Sequence, residues 1–412
     1  MQVQRTITLI LPDDPDLRQT LEDYTAVQQR LSPVCFHEGK PLPATRLQEV
    51  IYHDVKGIVS AQMTCSAIRS VAAAYRSAAK NGKPAQQSFQ FRNKAALFLI
   101  GCRGRDAEIF PGNELRLWTK QGKKSLSFTV PAYFQERFEQ AVEFDSLLVI
   151  ERKGQLVGRL VLTLDVPDPE GDQPCGIDRG ELNAIAAVDA EGKPFFRSGK
   201  RYRQKNKASY KQRKRLQKRL ALRKAERQDT RSVRRLLKRL SSKSSNRTKD
   251  FVRTTAKRLI NSLPEGSVLV LEDLSSIPQP LRTKKDKDGN LLQKGNRRSK
   301  SLRRRLSRWQ YGLLQKALIA RAELLGIAVV FVKAAYTSKT CHRCHKRGVR
   351  QRHRFCCASC GLCCHADVNA AVNIRSRYDT FCRVYARWAA SQSAPKPWNG
   401  EMFPITRASC CL

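Results

Sequence analysis

The stretch CGIDRGELNAIAAVDAEG, residues 175–192, predicts two short strands joined by a tight turn. The next residues, KPFFRS (193–198), predict a third strand, so the three form a meander. A basic helical region (200–258) follows, and then the apolar strand SVLVLEDL (267–274), a helix and the strand IAVVFVKA (327–334). This order of elements predicts a domain of the α+β class.

Three acidic residues lie where the apolar pattern does not call for a charge. Asp178 ends the first strand, Glu272 follows the run VLVL, and Asp367 opens the predicted helix ADVNAAVNI. An acid directly after a buried apolar run is costly unless it is paired or binds a cation. If the three acids converge, they would hold Mg²⁺. Two such ions about 3.5–4 Å apart would activate a water and stabilise the leaving oxygen of a phosphodiester. The alternative is that each acid forms a turn or caps a helix.

Seven of the 14 cysteines fall between residues 341 and 364, and this clustering favours metal ligation over a disulfide framework. Two Cys-x2-Cys knuckles, twelve residues apart, predict a zinc site. Three more cysteines lie nearby, so the spacing leaves the four ligands open, and we expect the histidines to face the surface or phosphate. The knuckles are Cys341/Cys344 and Cys357/Cys360, the spare cysteines are Cys356, Cys363 and Cys364, and the histidines are His342, His345, His353 and His365.

The 412 residues carry a formal charge of +42, which indicates a polyanionic partner, with nucleic acid first and a membrane surface second. Region 200–258 holds 25 Lys or Arg against three acids, and region 282–308 holds 12 against two. Without a long apolar run or a signal peptide, we expect a soluble intracellular protein. The candidate phosphate-binding residues are Lys211, Arg213, Lys214, Arg215, Lys218, Arg219, Arg303, Arg304 and Arg305.

The N-terminal part predicts a second domain. Its first eleven residues alternate as a strand does, two helices are predicted at about 14–32 and 44–79, and short strands fill 89–164. We therefore expect a β-barrel or sandwich interrupted by a helical insertion. The Pro-, Gly- and acid-rich segment 165–174 predicts the linker to the second half.

Five segments, in order, resemble the TnpB family of transposon-encoded RNA-guided nucleases, which are relatives of the type V CRISPR effectors: GIDRG, VLVLEDLSSI, YTSKTCHRC, FCCASCG and ADVNAAVNI. The resemblance is specific over about 175–376 and architectural over 1–170. It implies the following domains: a wedge β-barrel (1–11 and 85–168), a helical recognition domain (12–84), a RuvC nuclease domain of RNase H-like fold (169–338 and 362–380), an inserted zinc ribbon (339–361), and a tail (381–412) whose composition permits disorder.

The resemblance also implies a function and its residues. Asp178, Glu272 and Asp367 would be the catalytic acids of a two-metal Mg²⁺ site in an RNA-guided DNA endonuclease. The structural Zn²⁺ would be held by Cys341, Cys344, Cys357 and Cys360. The partners would be a transposon-derived guide RNA, with one protein per guide RNA, and a target double-stranded DNA that is recognised next to a short motif. The protein would act in the cytoplasm of a bacterial or archaeal cell, associated with the nucleoid.

One position departs from the family pattern. The family often has an acid two residues before the third catalytic aspartate, and His365 stands there in this chain. Two other functions stay open: a small type V CRISPR effector and a nuclease-inactive RNA-guided repressor. The complete set of three acids argues against the repressor.

Overall fold

The computed structural model describes residues 1–36, 41–81, 85, 87–101, 106–274 and 311–390. The chain divides into two compact units, Met1–Asp165 and Val166–Leu412. The second basic segment, 282–308, lies outside the described residues, as do residues 391–412 of the predicted tail.

The strands of the first unit follow the predicted alternation. β1 buries Val3, Ile7 and Leu9, because alternate residues of a strand face the same side. The β6–β7 hairpin turns at Lys153 and Gly154, which both have positive φ. The described strands form two antiparallel sheets, β1-β7-β6-β2 and β3-β4-β5: β1 Gln2–Ile10, β2 Ala95–Leu99, β3 Ala107–Phe110, β4 Glu114–Thr119, β5 Gly122–Ser127, β6 Ala141–Arg152 and β7 Gln155–Asp165.

Two isolated bridges join the outer strands of these sheets. Ile10, the last residue of β1, pairs with Thr129 just beyond β5, and Ile100, just beyond β2, pairs with Ala107 at the start of β3. A closed barrel needs this connectivity. The wedge barrel itself stays a prediction.

The helical insertion lies between β1 and β2, where the sequence places it. It contains α1 Pro15–Cys35, α2 Ala44–Val55 and α3 Ala61–Lys80. The prediction of one continuous helix over 44–79 is wrong, because the chain turns at Gly57, whose φ is +83°. The Ser60 side chain then caps α3 by accepting a hydrogen bond from Met63 N at 3.0 Å. A short helix, α4 Ala132–Glu139, precedes β6.

A mixed five-stranded sheet forms the centre of the second unit, in the order β10-β9-β8-β11-β12. The predicted meander is antiparallel, and β11 and β12 then add parallel to β8. The elements are β8 Gln173–Asp178, β9 Asn183–Val188, β10 Pro194–Ser198, α5 Lys200–Ala225, α6 Arg231–Ile260, β11 Ser267–Asp273, α7 Tyr311–Glu323, β12 Val329–Lys333 and α8 Ala366–Ala390.

Both faces of this sheet are covered, which explains the continuous apolar run in β11. Leu269 and Leu271 pack against α6 and α7, whereas Val268 and Val270 pack against α8. Gly176 lets α8 come close to β8, because a Cβ at this glycine would lie 2.1 Å from Ala371 O. The sequence pattern did not indicate this close approach.

Helices α5 and α6 form a basic hairpin after the meander. The rings of Tyr202 and Phe251 stack with centroids 4.4 Å apart, and the Tyr202 hydroxyl lies 2.9 Å from the Thr248 hydroxyl. None of the residues of α5 is buried. This 26-residue helix therefore presents most of its surface to solvent.

The cysteine cluster forms a small antiparallel sheet of β13 Val349–Gln351, β14 Arg354–Cys356 and β15 Cys363–His365. β15 continues directly into α8, so the ribbon fold extends past residue 361 to the first residue of that helix. Helix α8 runs to Ala390, so the first part of the predicted tail is helical.

Candidate functional site

The first two acids lie side by side because β8 and β11 are parallel neighbours. Ile177 pairs with Leu271, and Asp178 and Glu272 each come one residue later on the two strands. Side chains at equivalent positions of adjacent strands point to the same face. The alternation puts both acids on the face that α8 covers.

The third acid, Asp367, reaches this face from the first turn of α8 and is 7% exposed. Its Oδ2 accepts a hydrogen bond from Asn183 Nδ2 at 3.0 Å, and its Oδ1 accepts one from Arg350 Nη2 at 2.7 Å. Its backbone N donates to His365 Nδ1 at 3.2 Å. His365 therefore caps the helix instead of supplying the acid that the family often has there.

The charges of Glu272 and Asp367 both act on the buried Asp178. Burial, together with the charges of Glu272 and Asp367, raises the pKa of Asp178 to about 8. Burial also raises the pKa of Glu272, while a hydrogen bond from the Thr337 hydroxyl opposes the shift. A cluster that resists full ionisation in this way is suited to a divalent cation, which restores the charged form.

A buried arginine that the sequence analysis missed lies beside these acids. Arg179 is 1% exposed, donates from Nη2 to the carbonyl of Glu272, and donates from Nη1 to Gln315 Oε1 at 2.6 Å. Burial lowers its pKa to about 10, so it stays charged at neutral pH. Its position directly after Asp178 was the available signal, and it acts as a fixed countercharge.

Arg350 is the second residue that the sequence analysis missed. It lies on β13 of the ribbon, yet it pairs with Asp367 on α8, seventeen residues further along the chain. Its position within a very basic cluster gave no reason to single it out.

The three carboxylates fit Mg²⁺ by their chemistry, since an all-oxygen, acidic donor set is the type that this ion prefers. The three carboxylates are nevertheless not as close together as the zinc-site cysteines. In the part of the chain that the structure describes, the ligand atoms of the four cysteines lie within 4.8 Å of one another, and those of the three carboxylates do not. Both oxygens of Asp367 are engaged by Asn183 and Arg350. A cation at Asp367 would therefore have to replace the Arg350 contact.

The predicted zinc quartet comes together. Cys341 and Cys360 have their sulfurs 3.6 Å apart, and those of Cys344 and Cys357 are 3.5 Å apart. Four sulfurs at about 2.3 Å from a tetrahedral zinc would be about 3.8 Å from one another, so the cluster fits zinc.

The spare cysteines take other positions. Cys356 and Cys363 pair across β14 and β15 as a disulfide. Cys364 packs against the small core of the ribbon. Tertiary contacts thus separate the two knuckles from the other cysteines, which the spacing left open.

The predicted phosphate-binding residues of the first basic segment are exposed on α5. These are Lys211, Arg213, Lys214, Arg215, Lys218 and Arg219. The other three, Arg303, Arg304 and Arg305, lie outside the described residues. Among the helices that the structure describes, none is long and apolar enough to cross a membrane.

Two sequence families match this chain, mostly within the second unit. Residues 155–275 match the family OrfB_IS605, described as a probable transposase. Residues 311–374 match the family described as the Cas12f1-like TNB domain. The first match contains Asp178 and Glu272, and the second contains the ribbon and Asp367.

A relative and a solved structure agree with these matches. A TnpB-like protein of Methanocaldococcus jannaschii is 29% identical over 130 residues, which are 31% of this chain and 42% of the relative, so the alignment spans less than half of that protein. A Cas12f1–sgRNA–target DNA complex solved by cryo-EM shares the fold, with a TM-score of 0.53, 15% identity, and coverage of 87% of this chain and 81% of that one. Over the matched segments, the chain is therefore similar to TnpB-like proteins and to a family of probable transposases.

Proposed function

We propose that this protein is an RNA-guided, Mg²⁺-dependent DNA endonuclease encoded by a transposon. The observation that carries the proposal is the convergence of Asp178, Glu272 and Asp367 on one face of the mixed sheet, where burial and the charges of the other two acids raise the pKa of Asp178 to about 8. The strand order, with a three-strand meander followed by two parallel strands, supports an RNase H-like nuclease domain.

In the proposed mechanism, Asp178, Glu272 and Asp367 would hold the metal. When bound, Mg²⁺ would activate a water and stabilise the leaving oxygen of the phosphodiester. Asn183 orients the Asp367 carboxylate, and Arg179 supplies a fixed positive charge behind Glu272. Arg350 is the one cation paired with Asp367 among the described residues, and its guanidinium can bind a phosphate oxygen when DNA enters.

The basic hairpin supports nucleic-acid partners. Because α5 has no buried residue and its Lys and Arg side chains are exposed, the helix can follow a phosphate backbone without losing core contacts. In this division of labour, base pairing between guide RNA and target DNA supplies sequence specificity and the protein supplies charge.

The proposal is tested by purifying the full chain with the RNA that copurifies and sequencing that RNA. A discrete noncoding RNA with a variable end is expected, and RNA derived from a repeat array would indicate a CRISPR effector instead. With matched guide, target DNA and Mg²⁺, the wild type should cut. Asp178→Ala should abolish cutting but retain RNA.

A matched control is Asp189→Ala, which removes a carboxylate from the β9–β10 hairpin. Asp189 Oδ1 accepts a hydrogen bond from Lys193 N at 2.8 Å, so the residue has a local structural role. This variant should still cut. If the wild type binds the matched target but leaves it intact, the repressor function is supported and the nuclease proposal is wrong.

A further inference from the structure

A buried threonine holds the second acid. Thr337 lies in the connecting loop, residues 334–340, which joins β12 to the zinc ribbon, and it is 3% exposed. Its hydroxyl donates to Glu272 Oε1 at 2.5 Å, whereas the other acceptor within reach, Ala334 O, is 3.3 Å away. The hydroxyl therefore fixes the rotation of the Glu272 carboxylate.

Two buried asparagines tie the same loop to the helix that carries the third acid. Asn373 donates from Nδ2 to Thr337 O at 2.8 Å and to Thr340 O at 2.7 Å. Asn369 donates from Nδ2 to Thr340 O at 2.7 Å and accepts from His342 N at 3.1 Å. Both asparagines follow Asp367 on α8, so the helix that carries the third acid also carries the two side chains that bind the loop.

These contacts form a continuous path between the two acids. The path runs from Glu272 through the hydroxyl and the carbonyl of Thr337 to Asn373, and along α8 to Asp367. Cys341, the first zinc ligand, directly follows the loop. The same few residues therefore connect the second acid, the third acid and the zinc ribbon.

We infer that Thr337 is a positioning residue that holds Glu272 in place relative to Asp367, with Asn373 anchoring it to α8. This inference rests on the proposed function, since it assigns Thr337 to the metal site of that function. Residues that orient a metal ligand typically change metal affinity or activity about 10- to 100-fold when mutated. A purely structural threonine would change stability without this effect on metal binding.

The test measures Mn²⁺ binding to the full chain with its copurified RNA by electron paramagnetic resonance, and the Mg²⁺ concentration needed for cleavage. Thr337→Val keeps the shape of the side chain but removes the hydroxyl, and it should weaken Mn²⁺ binding at the carboxylate site about 10- to 100-fold. Thr337→Ser keeps the hydroxyl and should restore most of the affinity. Ser338→Ala, in the same loop, should bind Mn²⁺ as the wild type does.

Zinc content and the melting temperature separate this effect from misfolding. Thr337→Val should retain its zinc and its RNA. Combining Thr337→Val with Asn373→Ala should give less than the sum of the two single effects, because both changes break one path.

The inference is overturned if Thr337→Val binds Mn²⁺ and cleaves like the wild type, or if Thr337→Ser loses as much Mn²⁺ affinity as the valine variant. Should the valine variant not fold, Asn373→Ala decides instead, because it breaks the same path, and Mn²⁺ binding like that of the wild type would overturn the inference. A wild type that cuts DNA while these variants show no change would leave the nuclease proposal standing. A wild type that neither binds Mn²⁺ nor cuts would refute the nuclease proposal and this inference with it.

Discussion

Arg350 donates a hydrogen bond to the Asp367 carboxylate at 2.7 Å, so a side chain of the zinc ribbon forms an ion pair with the third acid of the candidate site. Asp367 is buried and Arg350 is one-third exposed, which makes the pair easier to break than a fully buried one.

Replacing Arg350 with alanine should separate metal binding from cutting. Mn²⁺ should bind more tightly, because the arginine no longer competes for Asp367. Cleavage should fall by about 10²-fold if the guanidinium stabilises the phosphate. Mn²⁺ titration and single-turnover cleavage measure the two effects.

Arg354→Ala is the matched control for that variant, since Arg354 is exposed on the neighbouring strand β14. This variant should change neither the Mn²⁺ affinity nor the rate of cleavage. Equal cutting by Arg350→Ala and the wild type would remove Arg350 from the reaction.

The stability of the Mg²⁺-free protein should fall as pH rises from about 4 to about 8. Asp178 has a pKa raised to about 8 in the fold, against an ordinary value of 3.8, so in this window the folded state binds a proton that the unfolded state has lost. Ionisation of Asp178 therefore costs folding free energy as pH rises. Melting temperatures at several pH values should show this slope.

Asp178→Asn should flatten the slope, since the amide does not titrate. Adding Mg²⁺ at pH 8 should raise the melting temperature of the wild type by a few degrees but not that of the variant. A wild type whose stability rises steadily from pH 4 to pH 8 would contradict the raised pKa.

Gly176→Ala should displace α8 and with it Asp367. The new methyl group would meet Ala371 O at 2.1 Å and Arg375 N at 2.6 Å, and both are backbone atoms that cannot rotate away. We expect a loss of about 1–3 kcal/mol in unfolding free energy and the loss of cleavage. Chemical denaturation and a cleavage assay check this.

Gly312→Ala is its control. Gly312 lies in α7, and no described residue has an atom within 4 Å of the added Cβ, so alanine should be neutral or stabilise the protein by about 0.4–1 kcal/mol. Similar behaviour of the two variants would mean that the close contact at Gly176 does not matter.

Substitution of the ribbon cysteines should identify the zinc ligands. Cys344→Ser should lose zinc, because three sulfurs and a hydroxyl make a weaker site, whereas Cys364→Ser should keep one zinc per chain. Atomic absorption measures the zinc. Loss of zinc from the Cys364 variant would mean that the quartet is assigned incorrectly.

Neutralising α5 should weaken RNA binding in a salt-dependent way. Replacing Arg215 and Arg219 with glutamine should reduce the slope of log affinity against log salt by about 0.7 for each lost phosphate contact to single-stranded RNA. Replacing the same two with lysine keeps the charge and should leave the slope near that of the wild type. Binding titrations at several salt concentrations measure it, and equal slopes for the two variants would place the RNA elsewhere.

The sequence alone predicted the parts of this protein that depend on local pattern. Apolar alternation predicted β1, because a strand that is buried on one face has an apolar residue at every second position. A continuous apolar run predicted β11, because a strand that is buried on both faces is apolar at successive positions. The Cys-x2-Cys spacing predicted the two knuckles, because each is a tight turn. The position of Asp178 at a strand end made it a candidate ligand, but that position did not decide between a turn and a metal site.

Only the tertiary structure decided which distant residues meet. The register of β8 on β11 places Asp178 beside Glu272, and Gly176 admits the helix that brings Asp367. Arg179, Arg350 and Thr337 join the site through contacts to residues that are far away in the chain or on other elements. Such contacts depend on how separate strands and helices pack against one another, and the order of residues within each element carries no record of that packing.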